Sequence, residues 1–332
     1  MEYAKLGSTD ITVSKLCVGC MSFGVPSEDF HLWTLDYEES SAMVGKALDL
    51  GINFFDTANV YSHGTSEEFL GRAIKERGAR DKVVIATKVY FNDGKLSKRG
   101  IQSSIDASLK RLGTDYVDLY IIHRYDYDAP IEETMETLDG LVKSGKVRAL
   151  GASAMYGYQF MNMQLAAEKN GWTKFVSMQN HYNLLYREDE RELIPICEQF
   201  GVSLTPYSPL AAGRLSRKEW KTDSKRSQTD RVAVAKYDGT EEQDKAIVAR
   251  VAELAEKYDV SMSQIAVAWL WAKGVVSPII GATKPKYFDD IVNAFNARLT
   301  QEDVDYLEEL YSPHKITGAL APPSPRSRSA SI

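Results

Sequence analysis

Eight short apolar runs, each followed by a segment of helical spacing, constrain this chain more than any other feature of its sequence. The runs cover residues 15–21, 52–56, 83–88, 117–123, 147–153, 175–179, 202–207 and 277–281. Their length and their Val, Ile and Phe content suit strands buried on both faces. Between them lie amphipathic segments such as Ile101, Ile105, Leu109 and Leu112, or Ile131, Met135, Leu138 and Val142, each opposed by a charged face. Pro130 suits the first turn of the second of these helices. Eight β-then-α units in series predict an α/β fold of the (β/α)8 TIM-barrel type. The rival is a doubly wound sheet, which usually carries GxGxxG after its first strand when it binds a dinucleotide; that string is absent from the sequence.

The expected division is one barrel over residues 1–317 and a Pro-, Ser- and Arg-rich tail, 318–332, too polar to bury a core and expected to be disordered. Residues 213–239 read as a long polar loop after the seventh run. The formal net charge of -6 argues against nucleic acid or an acidic membrane as partner, since both demand clustered cations. No stretch of about 18 apolar residues and no export signal is visible, so the expected location is the cytoplasm. Three cysteines fit a reducing compartment. Cys17 and Cys20 have redox-pair spacing, but no helix start follows them, and they read better as small apolar residues.

In a barrel the chemistry sits where strands end. The second run ends at Asp56, the third at Lys88 and the fourth at His123, while Tyr61 lies five residues past Asp56 in a loop able to fold back over the same mouth. Together they form a constellation for moving a proton to an oxygen. A phenol with an ordinary pKa of about 10 needs a neighbouring cation to favour phenolate. Lys88 is placed to be that cation, Asp56 to hold Lys88 charged, and His123 to polarise a carbonyl oxygen. Any one of these residues alone is as easily an ion pair or a satisfied core group; the four together are hard to read that way.

These positions, with the strings VGCMSFG, GINFFDTANVYSHGTSEEFLGRAIK, IATKV, DLYIIHRYD, GASAM, SMQNHYNLL, YSPLAAGRL and PIIGATKP, resemble the aldo-keto reductase superfamily over about residues 3 to 312. HLWTL, HRYDYDAPIEET and YNLLYREDERE are most similar to a bacterial subgroup known as 1-deoxyxylulose-5-phosphate synthase-like reductases. The resemblance implies NADPH-dependent reduction of a small-molecule aldehyde or ketone, with Asp56, Tyr61, Lys88 and His123 catalytic, Tyr61 the general acid, and no metal. It also allows the reverse direction, alcohol oxidation, or a non-catalytic redox-sensing subunit of the same fold, which four retained catalytic positions disfavour. An oligomer is possible.

By the same resemblance Ser153 and Gln179 hold the nicotinamide carboxamide and Tyr207 stacks on the ring. Backbone amides around Leu210, Ala211 and Gly213 meet the pyrophosphate, with Met21, Ser208, Arg214 and Gly281 among the cofactor contacts. Thr283 and Lys284 read a 2'-phosphate, favouring NADPH, and Asp290 meets the adenine amine. The sequence departs from the family pattern at Ala154 and Ile291, where Asn is common. From Arg214 to Asp238 eight Lys/Arg face four Asp/Glu, an excess suited to clamping an anionic cofactor. Trp33, Tyr90, Arg124 and Tyr156, with Phe30, His31, Phe91, Tyr125 and Tyr158, form an aromatic rim with one cation for the substrate.

Overall fold

A strand turns successive side chains to opposite faces, and in a closed barrel one face is the interior. In the computed structural model, which describes residues 1–223 and 225–322, eight parallel strands realise this alternation. They are β3 (Cys17–Gly19), β4 (Phe54–Asp56), β5 (Val84–Val89), β6 (Val117–Ile122), β7 (Val147–Ser153), β8 (Phe175–Gln179), β9 (Ser203–Leu204) and β10 (Ile279–Ile280), in the order β10-β3-β4-β5-β6-β7-β8-β9. Each expected run coincides with one of them, β5 reaching one residue beyond its run, to Val89. The Ile279 amide donates to the Pro206 carbonyl at 2.9 Å and the Val276 amide to that of Leu204 at 3.1 Å, which closes the last strand onto the first and gives the (β/α)8 barrel.

Cys17, Phe54, Val84, Ala86, Leu119, Ile121, Ala149 and Ile279 pack together inside the barrel, while their neighbours Val18, Phe55, Ile85, Tyr120 and Ile122 belong to the layer packed against the helices. Above the interior apolar layer the same inward parity reaches Met21, Asp56, Lys88, His123, Ser153, Gln179, Tyr207 and Gly281. The alternation that builds the core therefore delivers the polar groups to one mouth. Glycine keeps the middle of the barrel narrow: a Cβ on Gly151 would stand 2.6 Å from Ser177 Oγ, and one on Gly19 2.8 Å from Ile279 Cγ2.

The opposite end is plugged by an antiparallel hairpin that the sequence reading missed, β1 (Tyr3–Lys5) and β2 (Thr12–Ser14), whose flanking Leu6, Ile11 and Val13 join the interior cluster. The helices are α1 (Tyr37–Asp49), α2 (Thr65–Glu76), α3 (Lys98–Leu112), α4 (Ile131–Lys143), α5 (Gly157–Asn170), α6 (Leu193–Gln199), α7 (Lys225–Thr229), α8 (Arg231–Tyr237), α9 (Glu241–Tyr258), α10 (Met262–Ala272), α11 (Lys286–Ile291) and α12 (Gln301–Glu308). Helix α3 shows why they form: Ile101, Ile105 and Leu112 are buried on one stripe, the Ser97 side chain accepts from the Gly100 amide, and Gly113 ends the helix at φ 63°.

Two expectations change here. The segment read as a long loop carries α7 and α8 and is not irregular throughout. The described part of the expected tail packs at the barrel mouth: Tyr127 donates its hydroxyl to the Leu320 carbonyl at 3.0 Å, and a Cβ on Gly318 would lie 2.5 Å from the Tyr207 hydroxyl. Residues 323–332 of that tail lie outside the described residues.

Candidate active site

Lys88 is fully buried, so its ammonium must find partners within the protein. It donates to Asp56 Oδ1 at 2.5 Å, to the Thr57 carbonyl at 2.8 Å and to the Tyr61 hydroxyl oxygen at 3.2 Å. All three of its donors are thereby used, and because Tyr61 accepts from Lys88, its own proton remains to be given elsewhere. The Tyr61 and His123 rings stand 6.0 Å apart at 81°, which sets a phenol and an imidazole on either side of one small space. Gln179 adds a connection that the sequence did not suggest: its Nε2 donates to Asp56 Oδ2 at 2.8 Å, leaving the amide oxygen as an acceptor.

Burial opposes charge at this mouth. It pulls Lys88 down, but Asp56 and Tyr61 outweigh it, so the ammonium pKa ends above its ordinary value. Burial lifts the Asp56 carboxyl against the pull of Lys88 and Gln179. It also raises the Tyr61 phenol, and Lys88 lowers it without cancelling the burial. The expectation that the cation would bring Tyr61 below an ordinary phenol is thus corrected, because burial is the larger effect. His123 is held well below the usual imidazole range by burial, Lys88 and Arg124, and is neutral at pH 7.

The backbone around these groups is strained. Of the eight non-glycine residues with positive φ among the described residues, Ser62, His63, Ala154, Ser208, Ala211 and Ala212 follow Tyr61, Ser153 or Tyr207. Each left-handed residue costs about 1–2 kcal/mol, and such conformations gather where a site over-determines the chain.

The remaining sequence candidates divide into two groups. Ser153 and Gln179 sit side by side, Ser153 Oγ donating to the Gln179 carbonyl at 2.8 Å. The Tyr207 hydroxyl is buried without a hydrogen-bond partner among the described residues, and its ring stacks on His181 at 5.2 Å and 5°. Met21 lies in the turn after β3, where Ser22 Oγ donates to the Ala282 carbonyl at 3.1 Å, tying the ends of β3 and β10. Gly281 has open space around its α-carbon, Thr283 is half-buried, and Lys284 is exposed with no ion-pair partner among the described residues. Ser208 is the left-handed residue that turns the chain after Tyr207, and Leu210 follows it on the same rim.

Other candidates are engaged elsewhere. The Ala211 and Gly213 amides donate to the Ser208 and Leu210 carbonyls at 3.0 and 2.8 Å, so the turn itself uses two of the donors expected to meet an anion. Arg214 is buried, bonded to Asp238 at 2.5 Å and placed over Trp220 and Tyr237, which holds the two ends of the segment together. Lys221 shares Asp238, and Lys218 pairs with Glu256, which reduces the cationic excess read from the sequence. Asp290 accepts from Ser261 Oγ and Gln264 Nε2 at the start of α10. The partners of Arg214, Lys218 and Asp290 are distant in sequence, and no local pattern announces them.

The rim has the expected aromatic character. Phe30 stands 6.2 Å from Tyr61, Phe91 stands 5.1 Å from His123, and Tyr90 is edge-on to Phe91. Tyr156 and Tyr158 stack at 6.1 Å and Tyr125 meets Tyr127 at 5.0 Å, while Trp33 is buried beside His31. Among the described residues no group of three or more His, Cys, Asp or Glu could hold a metal, and no helix is long and apolar enough to cross a membrane.

Residues 15–312 match the sequence pattern of the Aldo/keto reductase family. The chain is 42% identical to the versiconal hemiacetal acetate reductase of Aspergillus parasiticus, over 95% of this chain and 98% of that protein. It is 43% identical to a Schizosaccharomyces pombe protein assigned as an aryl-alcohol dehydrogenase, over 96% and 98%, and 40% identical to an aldo-keto reductase of Fusarium vanettenii, over 96% and 93%. These relatives are fungal, and the finer placement in a bacterial subgroup finds no support in them.

Proposed function

The chain belongs to the aldo/keto reductase family, as an oxidoreductase of carbonyl and alcohol groups using a nicotinamide cofactor, and we propose that it is a cytoplasmic, NADPH-dependent reductase of aryl aldehydes or ketones with Tyr61 as the acid. The observation that carries this reading is the chain of contacts from Asp56 through Lys88 to Tyr61, at 2.5 and 3.2 Å.

A bound nicotinamide would supply hydride to the carbonyl carbon. The protein supplies the rest. His123, neutral, donates one ring N–H to the carbonyl oxygen and orients it. Tyr61 gives that oxygen its proton, and the ammonium of Lys88 stabilises the phenolate as it forms. Asp56 keeps Lys88 charged and is itself held by Gln179. The unpartnered Tyr207 hydroxyl, the free oxygen of Gln179 and the adjacent Ser153 fit a carboxamide-bearing ring. An aromatic rim and a relative named for aryl alcohols favour aryl substrates.

The directions of the pKa shifts fix a pH dependence. Reduction requires Tyr61 protonated, a form lost as pH rises through a value above about 10, and His123 neutral, a form lost as pH falls through a value well below about 6.5. The expected kcat/KM for reduction of an uncharged aldehyde is therefore flat from about pH 6.5 to about pH 9.5. A pH-rate profile with a limb centred near neutrality contradicts the assignment.

The choice of NADPH rests on Lys284. Replacing it by Ala should weaken NADPH about five- to tenfold, the scale of one exposed charge-assisted contact, and leave NADH nearly unaffected. Fluorescence titration of each cofactor tests this, and equal loss for both removes Lys284 from the 2'-phosphate.

A further inference from the structure

Two cations at the mouth have no part in the chemistry above. Arg124 follows His123 at the end of β6, and its Nη1 donates to the His123 carbonyl at 2.7 Å. Its guanidinium carbon stands 5.7 Å from the centre of the Phe91 ring, which itself lies 5.1 Å from that of His123, so it borders the space where a carbonyl would sit. Helix α8 brings Lys236, half-buried, to the same mouth, with Nζ 4.4 Å from the centre of the Tyr207 ring. Lys236 has no hydrogen-bond or ion-pair partner among the described residues, although a cation drawn into a protein ordinarily finds one.

The carboxylates that might neutralise this pair are committed elsewhere. Asp56 is held by Lys88 and Gln179, Asp230 accepts from the Ala233 amide as the cap of α8, and Asp126 accepts the Leu96 and Asp128 amides. Burial, and after it the Arg124 charge, bring the Lys236 pKa down to about 8 against the opposing pull of Asp230. Two like charges close enough to repel one another favour an anion that touches both.

We propose that Arg124 and Lys236 together seat an oxyanion of the substrate, and that the preferred substrates are aryl carbonyl compounds carrying a carboxylate. The proposal rests on the reductase reading of the same site. With the carbonyl between Tyr61 and His123, a planar aromatic body lies along the rim of Phe91 and Tyr207, and a carboxylate on its far side reaches the two cations. Arg124 meets it with a planar fork and Lys236 as a point charge. Lys236 is thus a specificity residue on a segment that the sequence presented as a loop.

The test compares 4-carboxybenzaldehyde with 4-methylbenzaldehyde, bodies of similar size that differ in charge, in the full-length protein. The wild type should prefer the carboxylated aldehyde in kcat/KM. Lys236→Met should reduce that preference about tenfold, the scale of one charge-assisted hydrogen bond, chiefly through KM, and Lys236→Arg should retain it. Reduction of both aldehydes with no preference, or a preference unchanged by Lys236→Met, overturns the proposal and leaves the reductase reading standing. Reduction of neither aldehyde strikes at the reductase reading itself. A fluorescence titration identifies the other source of an oxyanion: a Lys236→Met variant that loses NADPH affinity while keeping its preference for the carboxylate assigns Lys236 to the cofactor phosphate and overturns the proposal.

Discussion

Tyr61→Phe should lower kcat for carbonyl reduction about 10²- to 10⁴-fold, the range of a positioned general acid, while binding NADPH and folding almost as the wild type does. The substitution removes one oxygen. Phe keeps the ring against Phe30 and His123, and the buried ion pair beneath it keeps its two strongest contacts, Asp56 and the Thr57 carbonyl. Lys88 loses only its 3.2 Å contact. Affinity and chemistry should therefore separate: titration with NADPH gives a near-normal Kd, and turnover with an aryl aldehyde collapses. Turnover within a few-fold of wild type assigns the proton to another group.

Lys88→Met should cost both activity and stability. Lys88 and Asp56 are buried, and removing one member of a buried pair leaves the other charge uncompensated, at about 3–5 kcal/mol. The Thr57 carbonyl and the Tyr61 hydroxyl lose a donor in the same step. Adding Asp56→Asn to Lys88→Met removes the stranded carboxylate, so the double variant should recover much of the stability and none of the activity. Denaturant unfolding with parallel turnover reads both quantities. A single variant as stable as the wild type contradicts the picture of a desolvated pair, and an active double variant contradicts the role given to Lys88.

Three of the four central residues were legible because their positions follow from periodicity, and Tyr61 because its loop directly follows the second run. A strand that alternates around an apolar interior delivers Asp56, Lys88 and His123 to one mouth once the barrel is accepted. Less visible was the sign of the Tyr61 shift, which sets burial against a neighbouring cation and needs coordinates to weigh. The candidates Arg214 and Asp290 come from the positions of segments resembling the family, and no such pattern shows that each also has a partner distant in sequence, Asp238 in one case and Ser261 with Gln264 in the other. Strand ends were overextended where the chain leaves the ladder, as at β9, where the run 202–207 contains Pro206 and only Ser203–Leu204 form the ladder, with an isolated bridge from Tyr207 to His181. The plug hairpin had a turn signal in Gly7, Ser8 and Asp10, but its strands of three residues are too short for periodicity to register. Backbone strain at Ser62, His63 and Ser208 has no sequence mark, because none of these is glycine.

The most direct test uses NADPH deuterated at its transferable position, mixed with an aryl aldehyde and either wild-type protein or Tyr61→Phe, with the alcohol analysed by NMR. Wild type should give alcohol with deuterium on the carbinol carbon, one for each cofactor oxidised, and Tyr61→Phe should give the same labelled product at a rate lower by about 10²-fold or more. Alcohol without the label, or labelled alcohol formed equally fast by both proteins, contradicts the account.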